Sequence, residues 1–260
     1  MCLLVVAWQS HPRYRLVVAA NRDEFHDRPA AALGWWNDAP RVLAGRDLRA
    51  GGTWLGVTRA GRFGVVTNFR DLERAPAPDA PSRGRLVPDY LAGEAGPAAF
   101  VAATSASADR YAGFNLLVGT PDSLHYFSNR MDGSARALAP GVYGLSNHWL
   151  DSPWPKLVRT RERFADALVA DDPDAANLFD ILADRQPAPV DSSPASGLPP
   201  DLERALSSPF VLNERYGTRC STVVMVARDG RTVVHERRFD PQGSQTGATR
   251  IEFAMNSPSE

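Results

Sequence analysis

Met1-Cys2-Leu3-Leu4-Val5-Val6-Ala7-Trp8 opens the chain, and Arg15-Leu16-Val17-Val18-Ala19-Ala20-Asn21-Arg22-Asp23-Glu24 follows it across the turn signal Ser10-His11-Pro12. Both apolar runs are aliphatic, β-branched and short, so they read as an opening hairpin of buried strands. The second ends in four consecutive polar residues, and hairpin pairing delivers that polar end to the neighbourhood of Cys2. In a regular strand Asn21 and Asp23 share one face while Arg22 and Glu24 share the other. Arg22 and Asp23 are therefore expected to point in opposite directions.

Outward from the hairpin the pattern repeats. Thr53 to Thr58 and Arg62 to Asn68 flank the turn Arg59-Ala60-Gly61, Phe114 to Gly119 and Leu124 to Ser128 flank Pro121-Asp122-Ser123, and Cys220 to Arg228 and Thr232 to Phe239 flank Asp229-Gly230. Gly141 to Asn147 reads as one more short strand and Thr249 to Ala254 as a closing one. Helical spacing covers Leu86 to Gly93, Pro97 to Ser105, Pro155 to about Ala170 and Ala175 to Asp184, with Pro155 in the favoured first-turn position. Strands come in pairs instead of alternating singly with helices, which argues against parallel βαβ winding. The prediction is an α+β fold of two stacked, mostly antiparallel sheets with helices outside. A chain of 260 residues suits a single domain, and Gln186 to Pro200, rich in Pro and Ser, reads as a surface loop.

Composition narrows the function classes. Basic residues number 29 against 30 acidic ones, so no global field draws in nucleic acid or anionic lipid. Lys156 is the single lysine; the prevalence of Arg is read as codon bias. The first apolar run is far below the ~20 residues that span a bilayer and lacks a basic leader or cleavage site. Two cysteines do not make a disulfide framework, and they read as free thiols of a cytoplasmic protein. The sequence does not specify the oligomeric state.

Cys2 is the most informative position. Removal of Met1 would leave a cysteine carrying its own α-amine, whose reference pKa of about 7.7–8.0 provides a base beside the thiol near neutral pH. Asp23 would orient or charge-balance that amine, and Arg22 would lower the thiol pKa or hold a substrate carboxylate. Taken alone, each feature has a plainer reading: Cys2 as a small buried strand residue and Asn21 to Glu24 as a solvated polar turn. Trp35, Trp36, Trp54, Phe69, His148, Trp149 and Trp154 supply aromatic surface near the polar clusters, with core packing as the alternative. No spacing of His, Cys or carboxylates suggests a zinc site.

Met1-Cys2, Asn21-Arg22-Asp23-Glu24 with Arg28-Pro29, Gly45-Arg46-Asp47, Gly51-Gly52-Thr53-Trp54-Leu55-Gly56 and Thr67-Asn68-Phe69-Arg70 occur in that order. Together they resemble the NRDE family, the transport and Golgi organisation protein 2-like group. Gly144-Leu145-Ser146-Asn147 and Gly217-Thr218-Arg219-Cys220-Ser221-Thr222 are similar to its later motifs. That family is in turn similar to the N-terminal-nucleophile (Ntn) hydrolases of the choloylglycine hydrolase and penicillin V acylase type. The resemblance implies a four-layer αββα Ntn-hydrolase-like sandwich over residues 1–260. It further implies Cys2 as nucleophile, Arg22 and Asp23 as its charged neighbours, Asn147 as an oxyanion or amine-positioning group and Arg219 as a late catalytic arginine. Asn21, Glu24, Trp54, Asn68 and His148 complete the site as substrate-binding candidates, with the Asn68 amide suited to polarising a carbonyl. In the acylases the arginine and aspartate are spaced apart, whereas Arg22 and Asp23 are adjacent here.

Two function classes follow. The first is a cofactor-independent cysteine hydrolase of an amide or thioester of a small apolar acid. The second, implied by the resemblance, is a non-catalytic protein that binds haem, or acyl-coenzyme A and lipid, in the same cleft. Cys2 or His148 would then ligate haem iron.

Overall fold

The computed structural model describes residues 2–71, 77–189 and 200–256. In it β1 (Cys2–Trp8) and β2 (Tyr14–Phe25) form the opening hairpin, with Cys2 directly across from Arg22. These strands lie inside a six-stranded antiparallel sheet rather than at its edge. Its order is β10 (Gly141–Leu145), β1, β2, β11 (Tyr216–Ala227), β12 (Arg231–Phe239) and β13 (Gln245–Ala254). A second, seven-stranded antiparallel sheet runs β3 (Ala30–Trp35), β4 (Val42–Asp47), β5 (Leu55–Thr58), β6 (Phe63–Asn68), β7 (Phe114–Gly119), β8 (Leu124–Ser128) and β9 (Arg136–Ala137).

The opening strands read as continuous apolar runs because both of their faces are covered. Leu4, Val6 and Trp8 point into the core between the sheets, against Leu55, Val57 and Phe63, while Val5 and Ala7 point outward onto Phe164 and Leu178. The outer face of this sheet carries α3 (Pro155–Ala167) and α4 (Ala175–Leu182); the outer face of the other carries α1 (Leu86–Ala92) and α2 (Pro97–Ala106) around Tyr90, Phe114 and Leu116. The result is the four-layer αββα sandwich. Burial on two faces fixes the register of β1, since each large apolar side chain contributes about 1.5–3 kcal/mol and a one-residue slip would exchange every side chain between faces. Register in turn fixes Cys2 on the inner face, in line with Leu4.

Several elements differ from expectation. β2 does not stop at the polar tetrad but continues to Phe25, because the polar first half of β11 pairs with it, Tyr216 against Phe25 and Thr218 against Asp23. β11 accordingly begins four residues before Cys220. β3 and β4, which the sequence does not announce, extend the second sheet, and α5 (Pro200–Leu206) follows the expected 186–200 loop, of which 190–199 lie outside the described residues. Among the described residues no helix is long and apolar enough to cross a membrane.

Candidate active site

A cleft of about 290 Å³ opens where β1 and β2 end, between the two sheets and under the segment 77–84. Cys2, Arg22, Asp23, Glu24, Trp54 and Asn68 line it, so six of the ten residues singled out from the sequence converge there. Cys2 is only partly buried and Cys220 is fully buried; both are free thiols. Burial raises the Cys2 thiol pKa; the positive amino end of the chain, Arg22 and the Asp23 backbone N–H oppose this rise, and Asp23 adds to it.

Arg22 and Asp23 do diverge. Arg22 turns to the inner face, where its guanidinium lies 4.4 Å over the Trp54 ring and its Nη2 is 3.7 Å from Glu24 Oε2. Its side chain is 5% exposed, and its Nη1 has no hydrogen-bond partner. Trp54 can lie across the sheet because Gly45 has no side chain to meet its ring. Asp23 turns to the helical side, where its Oδ1 accepts from Thr218 Oγ1 at 2.7 Å. Burial raises its pKa, opposed by the chain's amino end, Lys156, Thr218 and Arg22. Opposite faces are compatible with one site here because Cys2 is the first residue of β1 and pairs with Arg22, while Asp23 follows immediately on β2 and also lines the cleft.

Arg28, Asp47, Thr53 and Arg83, none of them a site candidate from the sequence, also line the cleft. Arg28 Nη2 lies 2.7 Å from Asp47 Oδ2, and its Nε lies 3.8 Å from Glu24, so Arg22, Glu24, Arg28 and Asp47 form one charge-alternating chain along the wall. Burial alone would raise the Asp47 pKa; the Arg28 bond and two backbone N–H groups outweigh it and lower it. Arg28 and Asp47 do occur in the motifs that carry the family resemblance. Arg83 is announced by nothing local, since it reaches the cleft only through the fold.

The other four candidates lie outside the lining. Asn21 Nδ2 donates to the Leu182 and Pro209 carbonyls, and its Oδ1 accepts from Ser221 Oγ, which ties β2 to the helical layer. Asn147 is fully buried and donates to the Asn68 carbonyl, while Ser146 Oγ donates to the Cys2 carbonyl. The pair clasps β1 to β6 immediately behind the cleft and positions Asn68, whose own carboxamide makes no hydrogen bond among the described residues. Arg219 is the extra residue of a bulge between Thr218 and Cys220, and its Nη1 donates to the carbonyls of Phe25, His26 and Arg28. The bulge thus holds the turn that presents Arg28. His148 packs among Phe69, Trp149 and Trp154 with Nδ1 2.9 Å from Ser152 Oγ, so it does not share the cleft with Cys2.

Comparison with known proteins accords with this geometry. The family described as Transport and Golgi organisation 2 matches residues 1–241. The chain is similar to the Transport and Golgi organization protein 2 homolog of Bos taurus, at 34% identity over 282 residues covering 99% of this chain and 100% of that one. Its similarity to the Mus musculus homolog is 30% over 278 residues, with the same coverages of 99% and 100%. Among solved structures, the Caenorhabditis elegans ortholog of N-acylethanolamine-hydrolyzing acid amidase superposes with a TM-score of 0.50 at 12% identity, over 85% of this chain and 92% of that one. A conjugated bile acid hydrolase from Clostridium perfringens gives 0.49 at 9% identity, over 97% and 92%. The likeness to the amidase ortholog shows an Ntn-hydrolase-like fold.

Proposed function

The chain belongs to the Transport and Golgi organisation 2 family, and from that premise and the geometry of its cleft we propose that it is a cysteine hydrolase cleaving an amide or thioester of a small acid through Cys2. The observation that carries this reading is the placement of Cys2 at the first position of a register-locked inner strand, with Arg22 directly across from it and Asp23 in the same cleft lining. Loss of Met1 gives Cys2 a free α-amine. That amine takes the thiol proton as Sγ bonds to the substrate carbonyl carbon, and the Asn68 carboxamide donates to the developing oxyanion. Collapse breaks the bond to the amine or thiol leaving group, which receives the proton. Water then attacks the thioester, the α-amine takes its proton, the S–C bond breaks, and the thiol is restored as the acid departs. Asp23 stabilises the ammonium formed each time the amine takes up a proton.

The test is intact-mass spectrometry of purified protein before and after a short exposure to an activated thioester such as hexanoyl thiophenol. The expected result is a chain lacking Met1 that gains one hexanoyl group, lost with time and absent in Cys2→Ala. A chain retaining Met1, or acylation unaffected by Cys2→Ala, would refute the hydrolase reading.

The second reading, a non-catalytic haem or acyl-coenzyme A and lipid carrier using the same cleft, is favoured by one observation: burial raises the thiol pKa above its ordinary value, which disfavours an attacking thiolate. Because His148 lies outside the cleft, Cys2 is the lining's sole candidate ligand for haem iron.

A further inference from the structure

The charges of the cleft wall balance except at one point. Arg22, Glu24, Arg28 and Asp47 are paired along their chain. Arg83 faces the same cleft from the overhanging segment, and no carboxylate among the described residues lies within ion-pair distance of it. Its Nη1 donates to the Gly113 carbonyl at 2.8 Å, which leaves most of the five guanidinium donors without a protein acceptor. Burial lowers its pKa; the Cys2 thiolate and Glu24 raise it, and Arg28 and Arg130 lower it further. Desolvating a guanidinium without a counter-ion is costly, and such a group is normally paired.

Arg83 is also firmly placed. It begins a single 3-10 turn, Arg83–Arg85, that leads directly into α1. The neighbouring Gly84 carbonyl accepts from Thr53 N at 2.9 Å, an approach that a side chain at Gly52 would block. On the facing wall the buried Arg22 Nη1 also lacks a partner. Two guanidinium groups that share the cleft lining with Cys2 thus keep N–H donors that no protein acceptor among the described residues takes up.

We propose that the Cys2 cleft is an anion-binding site in which Arg83, assisted by Arg22 Nη1, grips a carboxylate or phosphate group of the ligand. This rests on the reading of the cleft as the ligand site and, if that ligand is a substrate, makes its class an acyl compound with an acidic group close to the carbonyl. Arg83 is a specificity residue, because Arg22 alone shares its charge with Glu24 and is stacked on Trp54. The carboxylate and phosphate sources share this chemistry and separate in the test.

The experiment measures protection of Cys2 from iodoacetamide, read by peptide mass spectrometry, in the presence of hexanoate, hexyl phosphate or hexanol. The expected result is that one or both anions protect and hexanol does not, the stronger anion identifying the group recognised. Arg83→Gln, which keeps a donor for the Gly113 carbonyl but removes the charge, should raise the concentration needed by about tenfold or more, as expected for loss of a charge-assisted contact. Arg83→Lys should recover part of it. Equal protection by hexanol and the anions, no protection by either anion, or an unchanged value in a folded Arg83→Gln protein would overturn the proposal. Protection is independent of turnover: a protein that binds anions but never forms an acyl-enzyme loses the hydrolase reading and keeps this one, and a protein that hydrolyses neutral amides with charge-independent protection does the reverse.

Discussion

At the scale of residues, the two thiols occupy one cross-strand row, Cys2, Arg22 and Cys220, yet differ in what surrounds them. Cys2 borders the cleft, whereas Cys220 is 5% exposed and its pKa is pushed well above the ordinary value by burial and Glu236. Iodoacetamide should therefore modify Cys2 and spare Cys220 in the native protein, with the Cys2 rate climbing as pH rises toward and past the ordinary thiol range. Arg22 favours the thiolate, so Arg22→Met should move that pH–rate profile upward. Equal labelling of both cysteines, or a profile unmoved by the substitution, would show that the electrostatics do not act as described. Cys2, Arg22 and Asp23 were legible in the sequence because a hairpin places neighbouring strand ends together. Arg83 was not, since nothing near it in sequence says that residues 82–84 fold back over β1.

At the scale of elements, the paired strands were readable wherever a turn residue separates two β-branched runs, as at Gly230, whose φ of +89° suits glycine. β3 escaped notice because Ala30-Ala31-Ala32-Leu33-Gly34-Trp35 is poor in strand formers and lies at a sheet edge, largely exposed. The polar tetrad looked like the end of a strand because Asp23 and Glu24 lie beyond β1 and take their partners only from the distant β11. The 3-10 turn before α1 depends in a similar way on a tertiary contact: Gly52 lies so close to the Gly84 carbonyl that an added Cβ would collide with backbone. Gly52→Ala should cost about 1–3 kcal/mol by overpacking, visible as a lower denaturation midpoint, and should weaken anion protection of Cys2 by shifting Arg83. A full-strength site in Gly52→Ala would mean that the turn does not position it.

At the scale of the whole molecule, two buried, oppositely charged groups face each other across the boundary of sheet and helical layer, Asp23 on β2 and Lys156 on α3. Lys156 on α3 is 2% exposed and donates to the Leu206 carbonyl at 2.7 Å; burial lowers its pKa to about 8 despite the raising influence of Asp23 and Cys2. The Asp23 pKa is raised, again by burial. The sign of the linkage follows. Between the ordinary carboxylate range and the Asp23 value the native state holds more protons than the unfolded one, so this contribution to stability declines as pH rises through that window. Between about 8 and the ordinary lysine value the unfolded state holds more, so stability rises there, by on the order of 3 kcal/mol. Urea denaturation should thus show Asp23→Asn gaining stability relative to the parent protein as pH rises above the ordinary carboxylate range, and any advantage of Lys156→Met shrinking between pH 8 and pH 10. A pH-independent difference for Asp23→Asn would contradict the assignment of a buried, charged carboxylate.

β1 lies between β10 and β2, so one neighbour is made directly after it and the other more than a hundred residues later: Leu4 pairs with both Ala20 and Leu145. During synthesis the amino end is therefore accessible until the chain has grown past residue 145 and β10 has docked. The removal of Met1 that the proposed hydrolase mechanism requires would belong to that interval. Afterward the pairing with β2 and the cleft wall border Cys2. An affinity tag fused ahead of Met1 would pass through the same interval uncut and arrive as a plug in the finished cleft, leaving a folded protein with its reactive end covered.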